Sequence, residues 1–208
     1  VTVVARRAER LEELLPKLEE SGAKTAQLVA VDLDEGNVAT DVILKRAHAL
    51  APVEILINNA GGPPGGALLE AESETFVTGF QRHVLASQRL VQGCLASMTA
   101  AGYGRIINII STSVREPIPG LGVSNTIRGA MAGWSKTLVR ELPPGVTINN
   151  VLPGFTDTER LDALRLAKAE MLGLSPEEVN AAWLAEVPEG RLARADEVAG
   201  AVAFLASP

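Results

Sequence analysis

The chain has 208 residues, 47% of them hydrophobic, which is enough to bury one sizeable core, so we expect a single domain over residues 1–208. Its formal net charge of −6 offers no basic field for nucleic acid, and no apolar run reaches the roughly 18 residues that span a bilayer. Cys94 is the only cysteine and cannot form an internal disulfide, so we expect it to be a small core residue. The sequence shows no signal peptide, and we expect a cytoplasmic protein.

Strands and helices are predicted to alternate along the chain. Short β-branched apolar runs predict strands over residues 1–5, 25–32, 53–58, 105–110 and 146–151. Apolar residues at helical spacing predict helices over residues 7–20, 37–50, 73–98, 125–142, 159–172, 176–185 and 196–206. This alternation favours parallel strands joined by right-handed crossovers, and therefore an α/β fold with a doubly wound, Rossmann-type parallel sheet.

Three motifs follow three of these strands in order, and because parallel strands end at one edge of a sheet, we expect the motifs to lie together there. They are Asn-Asn-Ala-Gly at residues 58–61, a serine-rich turn that begins at Ser111, and Pro-Gly-Phe-Thr at residues 153–156. In this order and spacing they resemble the short-chain dehydrogenase/reductase family, close to its 3-oxoacyl-carrier-protein reductase branch. The resemblance implies an oxidoreductase that transfers hydride between a nicotinamide dinucleotide and a carbonyl or alcohol substrate. It also implies a homodimer or homotetramer.

The residues that carry the chemistry in that family are changed here. The family pattern is Ser-x12-Tyr-x3-Lys, and this chain has Ser111, Ser124 and Arg128 at the three positions. A serine hydroxyl is shorter and a far weaker acid than a tyrosine hydroxyl, whose pKa is about 10. Arg128 could still hold the ribose hydroxyls of the cofactor, but a guanidinium pKa above about 12 makes it a poor proton relay. We therefore expect an atypical active site.

One histidine offers a substitute proton carrier. His83 stands in the predicted helix over residues 73–98, where the family usually has an asparagine that orders water. A pKa of about 6.5 would suit proton transfer; the alternative is a buried histidine with a structural hydrogen bond. Tyr103 is the only tyrosine, and it precedes its strand, so we expect it at the opposite end of the sheet.

Charge after the first strand favours NADP over NAD. Arg6 and Arg7 stand where an acidic residue would accept the ribose hydroxyls of NAD, and their guanidinium groups could bind a 2′-phosphate; solvated arginines are the alternative. Asp32 and Leu33 resemble the contact at the adenine edge, with a capping aspartate as the alternative. By resemblance, further cofactor contacts fall on Asn59, Ala60, Gly61, Pro153, Gly154, Phe155, Thr156 and Thr158. We assign no metal ligands.

The last predictions concern the two ends of the domain and a substrate lid. No glycine-rich turn is available to bind a pyrophosphate, because the loop over residues 61–66 contains two prolines. The resemblance places a first strand with such a turn before residue 1 and a last strand after residue 208. Residues 155–190 are expected to form a substrate lid whose apolar side chains suggest an apolar compound. The alternative function is a non-catalytic dinucleotide-binding sensor or partner subunit.

Overall fold

Five parallel strands alternate with helices in the computed structural model, which describes residues 1–208. The strands are β1 (Thr2–Ala5), β2 (Gln27–Ala30), β3 (Ile55–Asn58), β4 (Gly104–Ile109) and β5 (Val146–Val151). The helices are α1 (Ala8–Glu12), α2 (Leu15–Glu20), α3 (Asn37–Leu50), α4 (Ser73–Phe80), α5 (Ala86–Ala101), α6 (Gly122–Leu138), α7 (Glu159–Leu172), α8 (Pro176–Glu186) and α9 (Ala195–Ala206). The predicted α/β class with parallel strands is confirmed.

The strands of residues 1–208 pair in two sets. β1 pairs with β2, and β3, β4 and β5 form the second sheet in that order. No strand of residues 1–208 joins β1 to β3, and a cleft of about 940 Å³ runs between them along the length of both strands. Ile55 and Ile57 on β3 remain 43% and 48% exposed. The cleft therefore separates the unpaired edges of two parallel sheets.

Two predicted helices are interrupted. The one predicted over residues 7–20 divides into α1 and α2, because Pro16 in the first turn of α2 has no N–H to donate and its ring excludes the preceding helical turn. The one predicted over residues 73–98 contains a π-helical turn, Gln81–Leu85, between α4 and α5. Such turns are rare and often lie at functional sites; this one carries His83.

The core lies between β4 and the helices that pack against it. Ile106 and Met98 are completely buried, and Cys94 packs in the same cluster. Burial raises the pKa of the Cys94 thiol to about 11, which keeps it protonated and unreactive. Trp134 on α6 packs against this core and donates to Gln88 Oε1 at 2.7 Å.

Three asparagines cross the second sheet in register. Asn58, Asn108 and Asn150 are paired positions on β3, β4 and β5. The Asn58 amide donates to Asn108 Oδ1 at 2.9 Å, Asn108 donates to Asn150 Oδ1 at 2.9 Å, and Asn150 donates to Ser135 Oγ at 2.6 Å. Asn108 is completely buried, so this chain satisfies polar groups that would otherwise be costly in the core.

The ends of the second sheet have different characters. Tyr103 lies at the start of β4 and donates to the Ala206 carbonyl at 2.5 Å, so it lies at the opposite end from Ser111, as predicted.

Among the helices, none combines the length and apolar character that crossing a bilayer requires.

Candidate active site

The carboxyl ends of β3, β4 and β5 bring the three sequence motifs together. Asn58 ends β3, Ser111 lies just after β4, and the Thr112 N–H donates to the Pro153 carbonyl after β5 at 3.2 Å. Ligands bind beyond this end of the strands in open parallel sheets. The prediction that these motifs lie together at one edge is confirmed.

Arg128 connects the end of β4 to the Asn-Asn-Ala-Gly segment after β3. It lies on α6, is only 9% exposed, and donates through Nη1 to the Ile109 carbonyl at 2.8 Å and through Nη2 to the Ala60 carbonyl at 3.3 Å. Burial, followed by the positive charge of Arg160, lowers the pKa of Arg128 to about 10. Arg128 thus stays cationic at neutral pH and fastens β4 to the Asn-Asn-Ala-Gly segment.

Ser111 has the turn contact that the sequence offered as an alternative to a role in catalysis. Its Oγ accepts from the Ser113 N–H at 3.1 Å at the start of a short 3-10 helix, Thr112–Val114. A hydroxyl that accepts one hydrogen bond keeps its own O–H to donate. Ser111 can therefore both cap this turn and donate to a substrate oxygen.

Ser124 borders a small recess beside Gly62. A Cβ placed on Gly62 would lie 3.8 Å from Ser124 Oγ, 3.6 Å from Arg128 Nη2 and 3.8 Å from Arg160 Nη2. Three polar atoms from α6 and α7 thus face the backbone of residue 62, where no side chain lies between them.

His83 is buried against the same segment. It is 3% exposed, and its Nε2 donates to the Gly61 carbonyl at 3.2 Å. Burial, followed by the charge of Arg128, lowers the pKa of His83 to about 3. The pKa near 6.5 expected from the sequence is therefore wrong for this position, because a buried ring beside a cation resists a second positive charge. At neutral pH the ring is neutral.

This buried histidine predicts a loss of stability in mild acid. Because the folded pKa lies below the ordinary value of about 6.5, the unfolded chain binds the proton first as pH falls, and stability that is complete above about pH 6.5 is lost toward pH 3. We expect wild type to lose about 2 kcal/mol more than His83→Asn between pH 7 and pH 5. Asparagine can still donate to the Gly61 carbonyl. Urea unfolding at both pH values measures the difference, and parallel curves for the two proteins would contradict it.

The predicted cofactor residues after β1 and β2 form weak surface contacts. Arg6 lies 3.6 Å from Asp32 and Arg7 lies 3.8 Å from Glu159, in exposed ion pairs. Asp32 also accepts from the Asp34 N–H at 3.1 Å and caps a short 3-10 helix that begins at Leu33. The capping role offered as the alternative is present, and exposed pairs of this kind are weak enough for a ligand phosphate to displace.

The carboxyl end of the cleft between β1 and β3 brings together the predicted cofactor residues. Arg6, Arg7 and Asp32 line it on one side, and residues 59–61 and Arg128 line it on the other. The loop over residues 61–66 does not turn back over the cleft. It pairs instead with the segment before α6, where the Gly66 N–H donates to the Gly120 carbonyl at 2.8 Å.

The remaining predicted cofactor residues follow β5. Thr156 Oγ1 donates to the Gly154 carbonyl at 3.2 Å, and Thr158 Oγ1 accepts from the Leu161 N–H at 3.4 Å as the N-cap of α7. Both hydroxyls thus help to shape the turn into α7. No group of three or more histidine, cysteine, aspartate or glutamate side chains is placed to hold a metal ion.

The segment predicted as a lid contains a small core of its own. Phe155 stacks on Trp183 with ring centroids 5.3 Å apart, and Leu161 and Leu164 pack against the same cluster. Of the other apolar side chains in this segment, Met171 and Leu174 are exposed. These side chains therefore pack against one another or face outward, and they give no support to the apolar substrate expected from the sequence.

Two arginines at the site were not predicted from the sequence. Arg82 forms an ion pair with Asp34, lowers the pKa of that carboxyl, and donates to the Gly61 carbonyl at 3.4 Å. Arg160 donates to the Pro63 carbonyl at 2.7 Å. A cation in the first turn of a helix opposes the helix dipole, and this was the available signal for Arg160 in α7.

Comparison with known proteins gives consistent matches. The sequence model of the family described as short chain dehydrogenase matches residues 1–169. The chain is 34% identical to the 3-oxoacyl-[acyl-carrier-protein] reductase of Haemophilus influenzae, covering 89% of this chain and 72% of that protein. It is 33% identical to the 2,3-dihydroxy-2,3-dihydro-p-cumate dehydrogenase of Pseudomonas putida, covering 91% and 72%. The structure of an actinorhodin polyketide ketoreductase with NADPH superposes with a TM-score of 0.91, at 30% identity over 100% of this chain and 80% of that one.

Proposed function

This chain belongs to the short-chain dehydrogenase family, and from that premise we propose that it is an NADP-dependent oxidoreductase acting on a small carbonyl or alcohol substrate. The observation that carries the proposal is the position of Arg128. It bonds at once to the end of β4, two residues before Ser111, and to the Asn-Asn-Ala-Gly segment after β3, where a nicotinamide ribose would lie between them.

Each residue has a proposed role. Bound NADPH would supply the hydride. Ser111 donates its free O–H to the substrate oxygen, Arg128 anchors the nicotinamide ribose, and Ser124 contacts the substrate or a water molecule. The proton for the developing alkoxide comes through water with His83 as a relay. Because the His83 ring is neutral at neutral pH, it would accept a proton from water at one ring nitrogen as it releases a proton from the other.

Contacts to the dinucleotide are proposed on both sides of the cleft. Asn59, Ala60 and Gly61 line it at the end of β3, where small side chains let the backbone approach a ribose. Asp32 and Leu33 lie near the adenine position, and Pro153, Gly154, Phe155, Thr156 and Thr158 lie after β5 near the nicotinamide position. The cleft has no glycine-rich turn among residues 1–208, so the residues present fit the two ends of the dinucleotide better than its pyrophosphate.

Cofactor choice gives a direct test of this proposal. Changing Arg6 and Arg7 together to glutamine should weaken NADP binding roughly ten- to a hundredfold and leave NAD binding nearly unchanged, because a charge-assisted contact to the 2′-phosphate has no counterpart in NAD. Calorimetric titration with each dinucleotide measures the difference. Changing Lys45 and Arg46 together to glutamine is the matched control, since it removes the same charge from two exposed positions on α3 that do not line the cleft. Tighter binding of NAD than of NADP by the unchanged protein would refute the assignment.

The altered site also favours a second function. No tyrosine lies near Ser111, and the groups around it are a serine, a buried arginine and a neutral histidine. A dinucleotide-binding sensor or partner subunit without catalysis would tolerate this composition.

We propose the enzyme as the first function, and we propose that it works in the cytoplasm as a homodimer or homotetramer. The matched relatives include both a reductase and a dehydrogenase, so they do not fix the substrate.

A further inference from the structure

Two cations converge beside Ser124. Arg128 Nη2 and Arg160 Nη2 lie 3.6 Å and 3.8 Å from the position that a Cβ on Gly62 would occupy. They come from different elements, since Arg128 is in the middle of α6 and Arg160 is in the first turn of α7. Ser124 Oγ lies 3.8 Å from the same position. The recess therefore presents two guanidinium groups and one hydroxyl.

Neither cation has an acidic partner. The ion pairs of the structure involve eight other arginines, namely Arg6, Arg7, Arg10, Arg82, Arg89, Arg165, Arg191 and Arg194. The side chain of Arg128 contacts two backbone carbonyls, and that of Arg160 contacts one. A guanidinium has five N–H donors, so each keeps several for a ligand.

The arrangement is unfavourable without an anion. Like charges repel, and the charge of Arg160 contributes to the lowered pKa of the buried Arg128. Arg160 also stands at the positive end of the α7 dipole. An anion placed between the two guanidinium groups would relieve both effects, and it would accept the charge-assisted hydrogen bonds that guanidinium groups form best with carboxylate or phosphate.

We propose that Arg128, Arg160 and Ser124 bind an anionic group of the substrate, so that the enzyme acts on short oxo acids or the corresponding hydroxy acids. This inference rests on the proposed function, because it names the substrate class of the same site. Ser124 borders the recess and also stands at the position of the family's tyrosine, so the anion lies within a few bonds of the reacting carbonyl. A carboxylate is the small planar anion that two guanidinium groups can share.

Gly62 provides a test that leaves both charges in place. Its φ is not positive, and an added Cβ would have no neighbour closer than 3.6 Å, so Gly62→Ala should fold normally. The new methyl group would lie in van der Waals contact with the three polar atoms and would narrow the space between them. We expect it to weaken anion binding without changing the net charge of the protein.

The test uses oxalate as a probe, titrated calorimetrically into the full chain at low salt and without cofactor. We expect oxalate to bind, and we expect both Arg160→Gln and Gly62→Ala to weaken binding roughly ten- to a hundredfold. Arg140→Gln is the matched control: it removes the same charge from an exposed site just beyond the other end of α6, and it should bind oxalate as wild type does. The neutral diamide oxamide should not bind.

Several outcomes would overturn the inference. One is that oxalate does not bind, or that it binds equally to wild type and Arg160→Gln. Another is tighter binding of inorganic phosphate than of oxalate, which would assign the recess to a phosphate ester.

Two further outcomes separate this inference from the proposed function. Oxalate binding that depends on Arg160, in a protein without detectable NADP binding or turnover, would support the recess and reject the proposed oxidoreductase. Turnover of neutral ketones only, without oxalate binding, would reject the recess and support the oxidoreductase.

Discussion

Changing Ser124 to tyrosine and Arg128 to lysine together is expected to raise the rate of reduction of a simple neutral ketone roughly 10²–10⁴-fold, the range that a well-placed general acid contributes. A tyrosine hydroxyl beside a lysine ammonium can donate a proton near neutral pH, because the ammonium lowers the pKa of the phenol. The present serine hydroxyl cannot. A neutral ketone is the appropriate substrate because the double change removes a guanidinium from the recess beside Gly62.

The matched control is Ser124→Phe with Arg128→Lys, which provides the same ring without its hydroxyl. It should show no gain, and NADPH oxidation followed at 340 nm in both proteins measures the difference. Thermal unfolding of each variant shows whether loss of the Arg128 contacts to Ile109 and Ala60 damages the fold. If ketone reduction by the tyrosine variant stays undetectable in a folded protein, this pair does not limit the chemistry.

The same assay tests the proposed relay. His83→Asn keeps a hydrogen-bond donor for the Gly61 carbonyl but cannot exchange a proton, so a relay predicts a lower rate and a changed pH profile in this variant. An unchanged rate and profile would leave His83 with a purely structural role in the π-helical turn.

Asn108→Leu is expected to destabilise the protein by about 2–4 kcal/mol, because it leaves the amide N–H of Asn58 and the amide oxygen of Asn150 without their partners. Leucine has a branched shape related to that of asparagine, so the main change is the loss of polar contacts in a site that is completely buried. Urea unfolding monitored by circular dichroism measures the free energy of unfolding.

Ile107→Val is the control for this change. It lies beside Asn108 on β4, is equally buried, and loses one methylene group, which costs about 0.5–1.5 kcal/mol. If Asn108→Leu costs no more than this control, the row of asparagines contributes little to the stability of the sheet.

Much of the architecture could be predicted from sequence because it depends on local patterns. Short β-branched apolar runs identified each strand, apolar periodicity of 3.6 residues identified most helices, and α3, β5 and α7 have the predicted bounds. The motifs at residues 58–61, 111–113 and 153–156 were expected at one edge because parallel strands end at one edge. The division of the helix predicted over residues 7–20 was missed, although the steric rule for proline would have indicated it at Pro16.

The properties that decide the chemistry of the site came only from tertiary structure. The residue type of His83 alone would predict the ordinary pKa of a histidine. Its pKa of about 3 follows from burial beside Arg128, and no pattern of neighbouring residues in the sequence indicates that burial.

The recess that contains Arg160 shows the same division between sequence and structure. Gly62, Ser124 and Arg160 lie far apart along the chain, and their distances in space, within 4 Å of a common point, depend on how α6 and α7 pack over the loop after β3. The sequence alone therefore determined the order of the elements and the family motifs, since both follow from residues that are neighbours in the chain. The tertiary structure determined burial, charge proximity and the shape of the site, because these depend on distances between residues that are remote in sequence.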